Sequence, residues 1–428
     1  MTELRELFEE AVNSAPPSRL LADEVYAAGR RHRRRRRWAI ANGAAAVVIA
    51  VAAGTGIAAS VAEGPTVTGE TGSNQQQPSP GVLPHSGEQV QSVRAADARH
   101  LYLTMSTRLN CSKERCAKSV LQLVGSDDGG RTWTDRGGPI NTAGVEVLGP
   151  DRLLAIIVSD TTDAGARTLQ TSTDGGRSWR PLDRAPAVAA VATGSRAVCW
   201  RDSGQVTSPC TVYAIDPVSH RIAPLVTQPP LRLEDDLLLG ESSGRLWASG
   251  VDPAGRPAAA VSHDAGRTWS TTVFADPPAC SPEGCVAQDL AVGDGPTGYA
   301  VIVGTQSRAV YRYVENNGQD GGDWQRVPGA DSVPADRLTS GRQSFVTSDG
   351  AHVLLQVVAM PGQDLDGYRY WAARPGGAYQ PAELDGLPAT SYPVRRTQDG
   401  WFYAHDYTDG ALYGSTDGRH WSSVARSS

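Results

Sequence analysis

The sequence predicts an all-β, seven-bladed β-propeller, preceded by a single transmembrane helix and a short helical cytoplasmic N-terminus. Three observations lead to this fold class: a turn motif that recurs through most of the chain, an uncharged stretch that follows a run of arginines, and six cysteines in three close pairs beyond residue 100. The 46 Gly, 28 Pro and 10 Trp among 428 residues favour tight turns and short strands with aromatic side chains in their cores.

The first 37 residues are basic and carry a helical pattern. Nine arginines against six acidic residues give them about +3, which leaves about −9 for the rest of a chain whose net charge is −6. An acidic remainder suits phosphate backbones poorly, so no nucleic-acid partner is expected. Leu4, Leu7, Phe8 and Val12 recur at helical spacing, a stripe that would pack against the membrane surface or a cytoplasmic partner.

Residues 38–62 contain no charged side chain and form the predicted transmembrane helix. A helix over this stretch spans about 36 Å, enough to cross a hydrocarbon core of about 30 Å. Seven arginines and one histidine occupy residues 30–37 and Glu63 follows the stretch, so the positive-inside rule predicts a cytoplasmic N-terminus. A removable signal peptide that ends at Ser60-Val61-Ala62 is the alternative, although such peptides usually have an apolar core of only about 7 to 15 residues.

The chain is therefore divided into four predicted segments. Residues 1–37 form the cytoplasmic basic segment and residues 38–62 the transmembrane helix. Residues 63–89 are rich in Pro, Gln and Gly and lack apolar periodicity, so they are predicted to be a flexible stalk. Residues 90–428 form the extracytoplasmic propeller.

One turn motif recurs in this last segment. Three copies share the pattern Ser-x-Asp-x-Gly-x-Thr/Ser-Trp, and a shortened fourth copy lies near the C-terminus. The residues that define the four copies are Ser126, Asp128, Gly130, Thr132 and Trp133; Ser172, Asp174, Gly176, Ser178 and Trp179; Ser262, Asp264, Gly266, Thr268 and Trp269; and Ser415, Asp417 and Trp421. Asp can accept N–H bonds from its own loop, Gly can adopt positive φ, and the hydroxyl adds a second cap. Each copy is therefore predicted to be a turn between two strands, after which the Trp begins the next strand and buries its indole.

The spacing of the motif counts the blades. The first two tryptophans lie 46 residues apart and the next lies 90 further on, which indicates a hidden copy at residues 211–220. Two degenerate copies fit at residues 320–324 and 374–379, so the total is seven. In every unit an earlier Asp or Gly turn precedes an apolar strand, and about four strands per repeat of 40 to 55 residues is typical of a propeller.

These octets resemble the Asp boxes, or BNR repeats, of the sialidase-like β-propeller superfamily, and the resemblance covers roughly residues 90–428. With the predicted anchor, the chain is similar to membrane-anchored propellers of an actinobacterial type. The resemblance implies that the Asp boxes lie on the turn between the third and fourth strands of a blade, away from the active face, and that their residues are structural.

The six cysteines are Cys111 and Cys116, Cys199 and Cys210, and Cys280 and Cys285. Their close sequential pairing predicts three local disulfides in an oxidising compartment. A zinc site is the alternative, and the few histidines nearby speak against it. No metal and no cofactor are expected.

The order of strands in a blade also predicts a binding face. In a four-stranded antiparallel blade the 1–2 and 3–4 turns share one face, whereas the 2–3 loops and the links between blades share the other. The cysteine pairs fall on the second face, opposite the Asp boxes, where their disulfides would hold the loops of an exported protein in place. The functional hypothesis is that this face is stiffened because it is the face that binds a ligand. The last two blades concentrate aromatic residues, most of them expected in strand cores and some in a recognition patch: Tyr368, Tyr370, Trp371, Trp401, Phe402, Tyr403 and Tyr407.

A sialidase or related glycoside hydrolase is the enzymatic alternative. The resemblance implies paired carboxylates, an arginine cluster, a Tyr nucleophile and an F/Y-R-I-P motif before the first Asp box. The chain has Ser92-Val93-Arg94-Ala95-Ala96 at that place. The residues that could furnish such a site are Arg395, Arg396, Glu234, Asp235, Asp289 and Tyr299, but no spacing links them, and no catalytic residue is assigned.

The sequence thus predicts a single-pass protein of the cell membrane. Its extracytoplasmic propeller is expected to bind an unidentified cell-wall glycan, peptide or protein rather than to catalyse a reaction.

Overall fold

A computed structural model describes residues 81–82, 89–108, 111–112, 115–116, 119–138, 140–158, 167–201, 209–233, 238–242, 244–280, 287–304, 307–316, 321–334, 344–359, 366–406, 408 and 410–426. The predicted cytoplasmic segment, the predicted transmembrane helix and most of the predicted stalk lie outside these residues. Within the described part of the chain, no helix is both long and apolar enough to cross a membrane.

The described residues form strands and one short 3-10 helix, Ala330–Ser332. The strands are β1 Gly81–Val82, β2 Gln89–Ala95, β3 Leu101–Arg108, β4 Cys111–Ser112, β5 Arg115–Cys116, β6 Ser119–Ser126, β7 Thr134–Asp135, β8 Thr142–Gly149, β9 Arg152–Val158, β10 Arg167–Ser172, β11 Arg180–Pro181, β12 Asp183–Arg184, β13 Arg196–Trp200, β14 Thr211–Asp216, β15 Arg221–Pro224, β16 Arg232–Leu233, β17 Gly240–Ser242, β18 Arg245–Val251, β19 Pro257–Ser262, β20 Ser270–Val273, β21 Ala287–Val292, β22 Gly298–Val303, β23 Arg308–Glu315, β24 Gly322–Arg326, β25 Ser344–Val346, β26 His352–Ala359, β27 Asp366–Ala373, β28 Gln380–Ala382, β29 Arg395–Arg396, β30 Phe402–His405, β31 Leu412–Ser415 and β32 Ser422–Arg426.

All strands except β4 and β5, which form a separate two-stranded sheet, build seven sheets that follow one another along the chain, so the predicted all-β, seven-bladed propeller is confirmed. Most blades contain four antiparallel strands in chain order from the axis outwards. The blades are, in order, β2-β3-β6-β7, β8-β9-β10-β11, β13-β14-β15 with β12, β16 and β17 with β18-β19-β20, β21-β22-β23-β24, β25-β26-β27-β28, and β29-β30-β31-β32 with β1.

The core is a ring of seven hydrophobic clusters, one at each seam between neighbouring blades. Side chains alternate along a strand, so adjacent residues pack into different seams. Leu153 packs towards blade 1 whereas Leu154 packs towards blade 3, and both are fully buried. A strand that is covered on both faces needs a continuous apolar run, which explains stretches such as the Leu-Leu-Ala-Ile-Ile-Val of β9.

Blade 3 is built differently from the others. Its strand β13 follows the turn at Gly194, as second strands do elsewhere, and no described strand of blade 3 precedes it on the axial side. The place beside β13 is taken by Leu238 and Leu239, which come from the interrupted inner strand of blade 4. Leu238 pairs with Val198, and the Leu239 N–H donates to the Ala197 carbonyl at 3.0 Å. Blades 3 and 4 therefore share one inner segment.

The ring is closed by β1, which pairs in parallel with β32 on the outer edge of blade 7. Gly81 lies opposite Ala425 in this ladder. Gly81 also approaches the backbone of blade 1 so closely that a Cβ at this position would lie 1.7 Å from the Gly130 carbonyl oxygen. The segment just before the first blade thus joins the last blade to the first.

The two ends of the propeller carry different connections. The turns from first to second strand and from third to fourth strand share one end, which we call the turn face. In blade 1 two such turns are hydrogen-bonded, with the Gly129 N–H donating to the Arg99 carbonyl at 2.9 Å. The opposite end, the loop face, carries the second-to-third loops and the links between blades.

Candidate functional site

The recurring octets form hairpin turns that satisfy their own polar groups. In the first copy the Ser126 hydroxyl donates to Asp128 Oδ1 at 2.8 Å and accepts the Gly130 N–H at 2.8 Å. Asp128 in turn accepts the Thr132 N–H at 2.9 Å and the Thr132 hydroxyl at 2.6 Å. The turn therefore depends on its own side chains rather than on distant contacts.

The same network recurs in the other copies. The serine-to-aspartate, glycine-to-serine and threonine- or serine-to-aspartate bonds measure 2.6 to 2.9 Å in the copies built on Asp174 and Asp264. In the shortened copy His420 replaces the hydroxyl residue, and its Nδ1 lies 2.6 Å from Asp417 Oδ2. The hidden copy keeps the aspartate, since Asp216 accepts the Ser219 hydroxyl at 2.6 Å.

These hydrogen bonds act on the charge of the aspartates. Slight burial raises the pKa of Asp128, but the bonds from Thr132 and Ser126 outweigh it and lower the pKa to about 2. Asp174, Asp264 and Asp417 also have a lowered pKa, with the same opposition between burial and hydrogen bonds. The octets are ionised, internally paired turns of the turn face, which is a structural arrangement.

The tryptophans of the octets are less buried than the sequence predicted. Trp421 is buried at 7% exposure, whereas Trp133, Trp179 and Trp269 are half-buried. The Trp133 indole N–H donates to the Gly130 carbonyl at 3.0 Å, so this ring folds back over its own turn.

A cavity of about 650 Å³ lies on the axis of the propeller, between the inner strands. Its walls are the ends of the inner strands and the turns that follow them, at Arg94–Ala96, Glu146–Gly149, Gly240–Ser242, Val292–Asp294 and Arg395–Gln398. The lining also includes Cys199, Leu233 and Ser249, which lie towards the loop-face ends of their strands, so the cavity extends along the axis. Because inner strands run from the loop face to the turn face, the charged residues at the ends of these strands lie towards the turn face, the end that carries the octets.

One ion pair in the wall is fully hydrogen-bonded. Arg94 of blade 1 donates through Nε and Nη2 to the two carboxylate oxygens of Glu146 in blade 2, at 2.9 and 2.7 Å. Its Nη1 donates to the Val93 carbonyl at 2.9 Å. A bidentate pair of this kind fixes both side chains and joins the inner strands of two blades.

A second ion pair is in contact without being hydrogen-bonded. Arg196 begins β13 of blade 3 and Glu241 lies in β17 of blade 4, with Arg196 Nε 3.4 Å from Glu241 Oε2. Arg196 Nε, Arg196 Nη1 and Glu241 Oε2 have no hydrogen-bond partner among the described residues. Burial lowers the pKa of Arg196, and the charge of Glu241 partly opposes this effect.

A third ion pair joins blades 5 and 7, which are separated by blade 6. Arg396 of blade 7 lies 2.6 Å from Asp294 of blade 5, through Nη2 and Oδ1. The Arg396 guanidinium also lies 5.3 Å from the centre of the Phe402 ring, a cation–π distance. With the neighbouring Arg395, four guanidinium groups and three carboxylates line the cavity.

The residues proposed for a glycosidase are not brought together. Arg395 and Arg396 line the cavity, but Asp289 is buried at 4% exposure, where its Oδ2 accepts the Ser344 hydroxyl at 2.9 Å. Tyr299 is also buried, at 1%, in the seam between blades 5 and 6. Glu234 and Asp235 lie outside the described residues.

The aromatic residues of the last two blades are mostly core residues. Tyr370, Trp401, Phe402 and Tyr403 are buried, and Tyr403 also lines the cavity. Tyr368 and Trp371 are partly buried against the seams, and Tyr407 lies outside the described residues.

One of the predicted disulfides is described directly. Cys199 and Cys210 are bonded and tie the end of β13 to the residue before β14. Cys111 and Cys116 face each other in the β4–β5 hairpin, and Cys280 is disulfide-bonded, while Cys285 lies outside the described residues. Among the described cysteines, Cys199 lies at the loop-face end of β13, and the others belong to connections of the loop face.

Sequence reasoning missed Arg196, Glu146, Glu241 and Asp294 as wall residues of the cavity. Single charges at the ends of apolar strands look like ordinary solvated strand ends. The available signal was their recurrence beside the first turn of several blades, for example Arg196 two residues after Gly194.

No family model and no curated protein matches this sequence. Among solved structures, the chain is similar to "YCF48 bound to D1 peptide", with 13% identity over 81% of this chain and 88% of that chain and a TM-score of 0.31. It is also similar to a GH74 xyloglucanase from Xanthomonas campestris, with 16% identity, 78% and 72% coverage and a TM-score of 0.29. TolB from Acinetobacter baumannii matches with 13% identity, 76% and 79% coverage and a TM-score of 0.34. These likenesses are too distant to carry an argument about function.

Proposed function

We propose that this chain is a membrane-anchored, extracytoplasmic binding module that receives its ligand or partner in the axial cavity. The observation that supports this most is the wall of the cavity, where guanidinium–carboxylate pairs from different blades converge on a space of about 650 Å³. Rigid concave sites with a few convergent polar groups are typical of ligand sites.

The proposed location draws on two features. The disulfide between Cys199 and Cys210 suits an oxidising compartment outside the cytoplasm. The uncharged stretch at residues 38–62, with arginines before it, suits an anchor whose following domain is exported. Membership of the sialidase-like superfamily is part of the same proposal and depends on the four octets.

Binding is favoured over glycoside hydrolysis by the state of the carboxylates. A glycosidase needs one carboxyl group that keeps a proton near neutral pH and a second that acts as nucleophile or base. Glu146, Glu241 and Asp294 each contact a guanidinium group instead. Each of these carboxylates is therefore held by a cation, an arrangement that suits the recognition of a charged or polar ligand.

The position of the charged groups in the cavity revises the proposed binding face. The loop face, which carries the cysteine pairs, was the face expected from the sequence to bind. The ion pairs lie towards the turn face, so we place the binding site there and assign the disulfides to the stabilisation of loops.

A tryptophan introduced on each face tests which of the two faces binds the ligand. Gln398 is exposed beside the cavity, and Val226, at 66% exposure, lies on the link that leaves β15 at the loop face. The full chain is screened on arrays of cell-wall glycans and peptides, and the bound probes are measured again with Gln398→Trp, Gln398→Ala and Val226→Trp. We expect Gln398→Trp alone to abolish binding, and loss with Val226→Trp alone would restore the loop face as the site.

The enzymatic alternative is tested with a fluorogenic sialoside. We expect no turnover by the purified chain. Turnover that disappears in Glu241→Gln or Glu146→Gln would overturn the proposal of a non-catalytic module.

A further inference from the structure

The cavity contains two kinds of ion pair. Arg94 and Glu146 are joined by two hydrogen bonds, and the third guanidinium nitrogen of Arg94 donates to a backbone carbonyl. Arg196 and Glu241 approach to 3.4 Å without a hydrogen bond. The first pair is closed, whereas the second leaves donors and an acceptor unused.

The unused donors belong to a buried side chain. Arg196 is 9% exposed, and its Nε and Nη1 have no hydrogen-bond partner among the described residues. Buried polar groups in proteins are nearly always paired, and a buried charge without full pairing is costly. Arg196 lines the cavity, and a guanidinium whose Nε and Nη1 lack hydrogen-bond partners is suited to bind an anion when its side chain turns towards the cavity.

The charge of the wall points to the same class of ligand. The lining holds the guanidinium groups of Arg94, Arg196, Arg395 and Arg396 beside three carboxylates. Arg396 Nε is a further buried donor without a partner among the described residues. A planar carboxylate matches the fork of a guanidinium group and can accept two of its N–H groups.

Glu241, the hydrogen-bond acceptor beside Arg196, restricts the class of possible ligands further. Glu241 Oε2 is buried and accepts no hydrogen bond from the described residues. A ligand that fits both partners of the open pair presents a carboxylate to Arg196 and an N–H or O–H donor to Glu241. The inner strands surround the cavity, so a chain-like ligand must enter it with one end first. The terminal group of such a ligand can reach Arg196, whereas a group in the middle of a polymer cannot.

We propose, on the basis of the function proposed above, that the cavity binds the C-terminal end of a peptide or protein. The terminal carboxylate accepts N–H groups of Arg196, and the last amide N–H of the ligand donates to Glu241. The closed pair between Arg94 and Glu146 braces the wall and takes no part in recognition.

The test compares peptides that differ only at the C-terminus. A library of short fluorescent peptides with free C-terminal carboxylates, and the same library with C-terminal amides, is titrated against the full chain in detergent. We expect free-acid peptides to bind at least about tenfold more tightly than their amides, because charge-assisted hydrogen bonds are about twice as strong as neutral ones. Equal binding of acids and amides, or no binding by any free-acid peptide, overturns the proposal.

Substitutions at Arg196 separate recognition from folding. Arg196→Met removes the guanidinium and is expected to abolish the preference for the free acid, whereas Arg196→Lys keeps the charge and is expected to retain part of it. Arg267→Met is the matched control, since Arg267 is exposed on an octet of the same face, and it should bind as the unaltered chain does. Thermal melting of each variant identifies any loss of fold, and a preference for free acids that survives in folded Arg196→Met contradicts the assignment.

Free glucuronic acid and sialic acid serve as competitors. They carry a carboxylate beside hydroxyl groups, and displacement of the peptides by these sugars at lower concentration than by free-acid peptides would assign the cavity to sugar acids instead. If no peptide binds but a glycan probe does so in a manner that Gln398→Trp abolishes, the proposed function stands and the inference about C-termini fails.

Discussion

His352 stacks face to face on Tyr299, with ring centroids 4.2 Å apart and ring planes inclined by 6°. The two residues join blade 6 to blade 5, and His352 Nδ1 lies 2.6 Å from the Tyr379 hydroxyl. His352 is fully buried, and this burial lowers its pKa to about 3. The seam between these blades is therefore built around an imidazole that stays neutral.

This burial predicts a dependence of stability on pH. The pKa of His352 rises to about 6.5 on unfolding, so its contribution is complete above pH 6.5 and is lost as the pH falls from 6.5 towards 3. His352→Phe keeps a stacked ring but cannot titrate. We expect the free energy of unfolding of this variant to fall less steeply between pH 6.5 and 4 than that of the unaltered chain.

The same variant should be less stable at neutral pH by about 1 to 3 kcal/mol, because the buried Tyr379 hydroxyl loses its partner. Chemical denaturation at a series of pH values measures both effects. Identical slopes for His352→Phe and the unaltered chain would contradict the role of His352.

Asp128 predicts a second pH effect at lower pH. Its folded pKa of about 2 lies below the ordinary 3.8, so its contribution is present above pH 3.8 and is lost as the pH falls through about 2. Asp128→Asn removes the charge that accepts the Thr132 and Ser126 bonds and should cost roughly 1 to 2 kcal/mol at pH 7. The difference in melting temperature from the unaltered chain should narrow between pH 4 and pH 2, whereas Asp331→Asn, at an exposed carboxylate outside the octets, should show no such trend.

The local nature of these bonds explains why the blades could be predicted. Ser126, Asp128 and Thr132 lie within one turn, and their spacing alone specifies which groups bond. Continuous apolar runs such as β9 indicate strands that are covered on both sides by other blades. The octet turns and the apolar runs can each be recognised within a short stretch of sequence. The number of times that they recur gives the number of blades.

Relationships between distant residues could not be predicted in this way. Leu238 pairs with Val198, which lies 40 positions earlier in the chain. No pattern in the neighbouring sequence indicates that the inner segment of blade 4 also pairs with blade 3. The cavity has the same property, since Arg196 and Glu241 belong to different blades and only the closed ring brings them together. The binding face was inferred from the positions of the cysteine pairs. Disulfides indicate which loops are stabilised, but they do not indicate where charged side chains from different blades come together.

Gly81 predicts how the ring is held closed. Gly81→Val would place a Cβ against the Gly130 carbonyl and should displace β1 from β32, at a cost of roughly 1 to 3 kcal/mol. Hydrogen exchange in β32 should become faster together with a lower melting temperature. Val82→Thr is the control, because Val82 is 62% exposed and such a change is usually within about 0.5 kcal/mol. Unchanged exchange in Gly81→Val would show that β1 does not close the ring.

The disulfide between Cys199 and Cys210 predicts where the propeller is weakest. It closes a loop of 12 residues between the second and third strands of blade 3, which corresponds to about 3 kcal/mol in the chain-entropy model. Blade 3 relies on Leu238 and Leu239 for its inner pairing, so β13 has few other constraints on its axial edge. Cys199→Ala with Cys210→Ala should therefore speed hydrogen exchange in β13 more than in β9, the equivalent strand of blade 2.

Reduction by dithiothreitol provides the matching measurement. In the unaltered chain, reduction of all disulfides should lower the melting temperature. In the double variant, the melting temperature should fall only by the contribution of the disulfides other than Cys199–Cys210. The difference between the two losses isolates the contribution of this disulfide. An equal loss in both proteins would show that blade 3 is held by its packing against Leu239 and Leu246 in the seam with blade 4, and not by the covalent link.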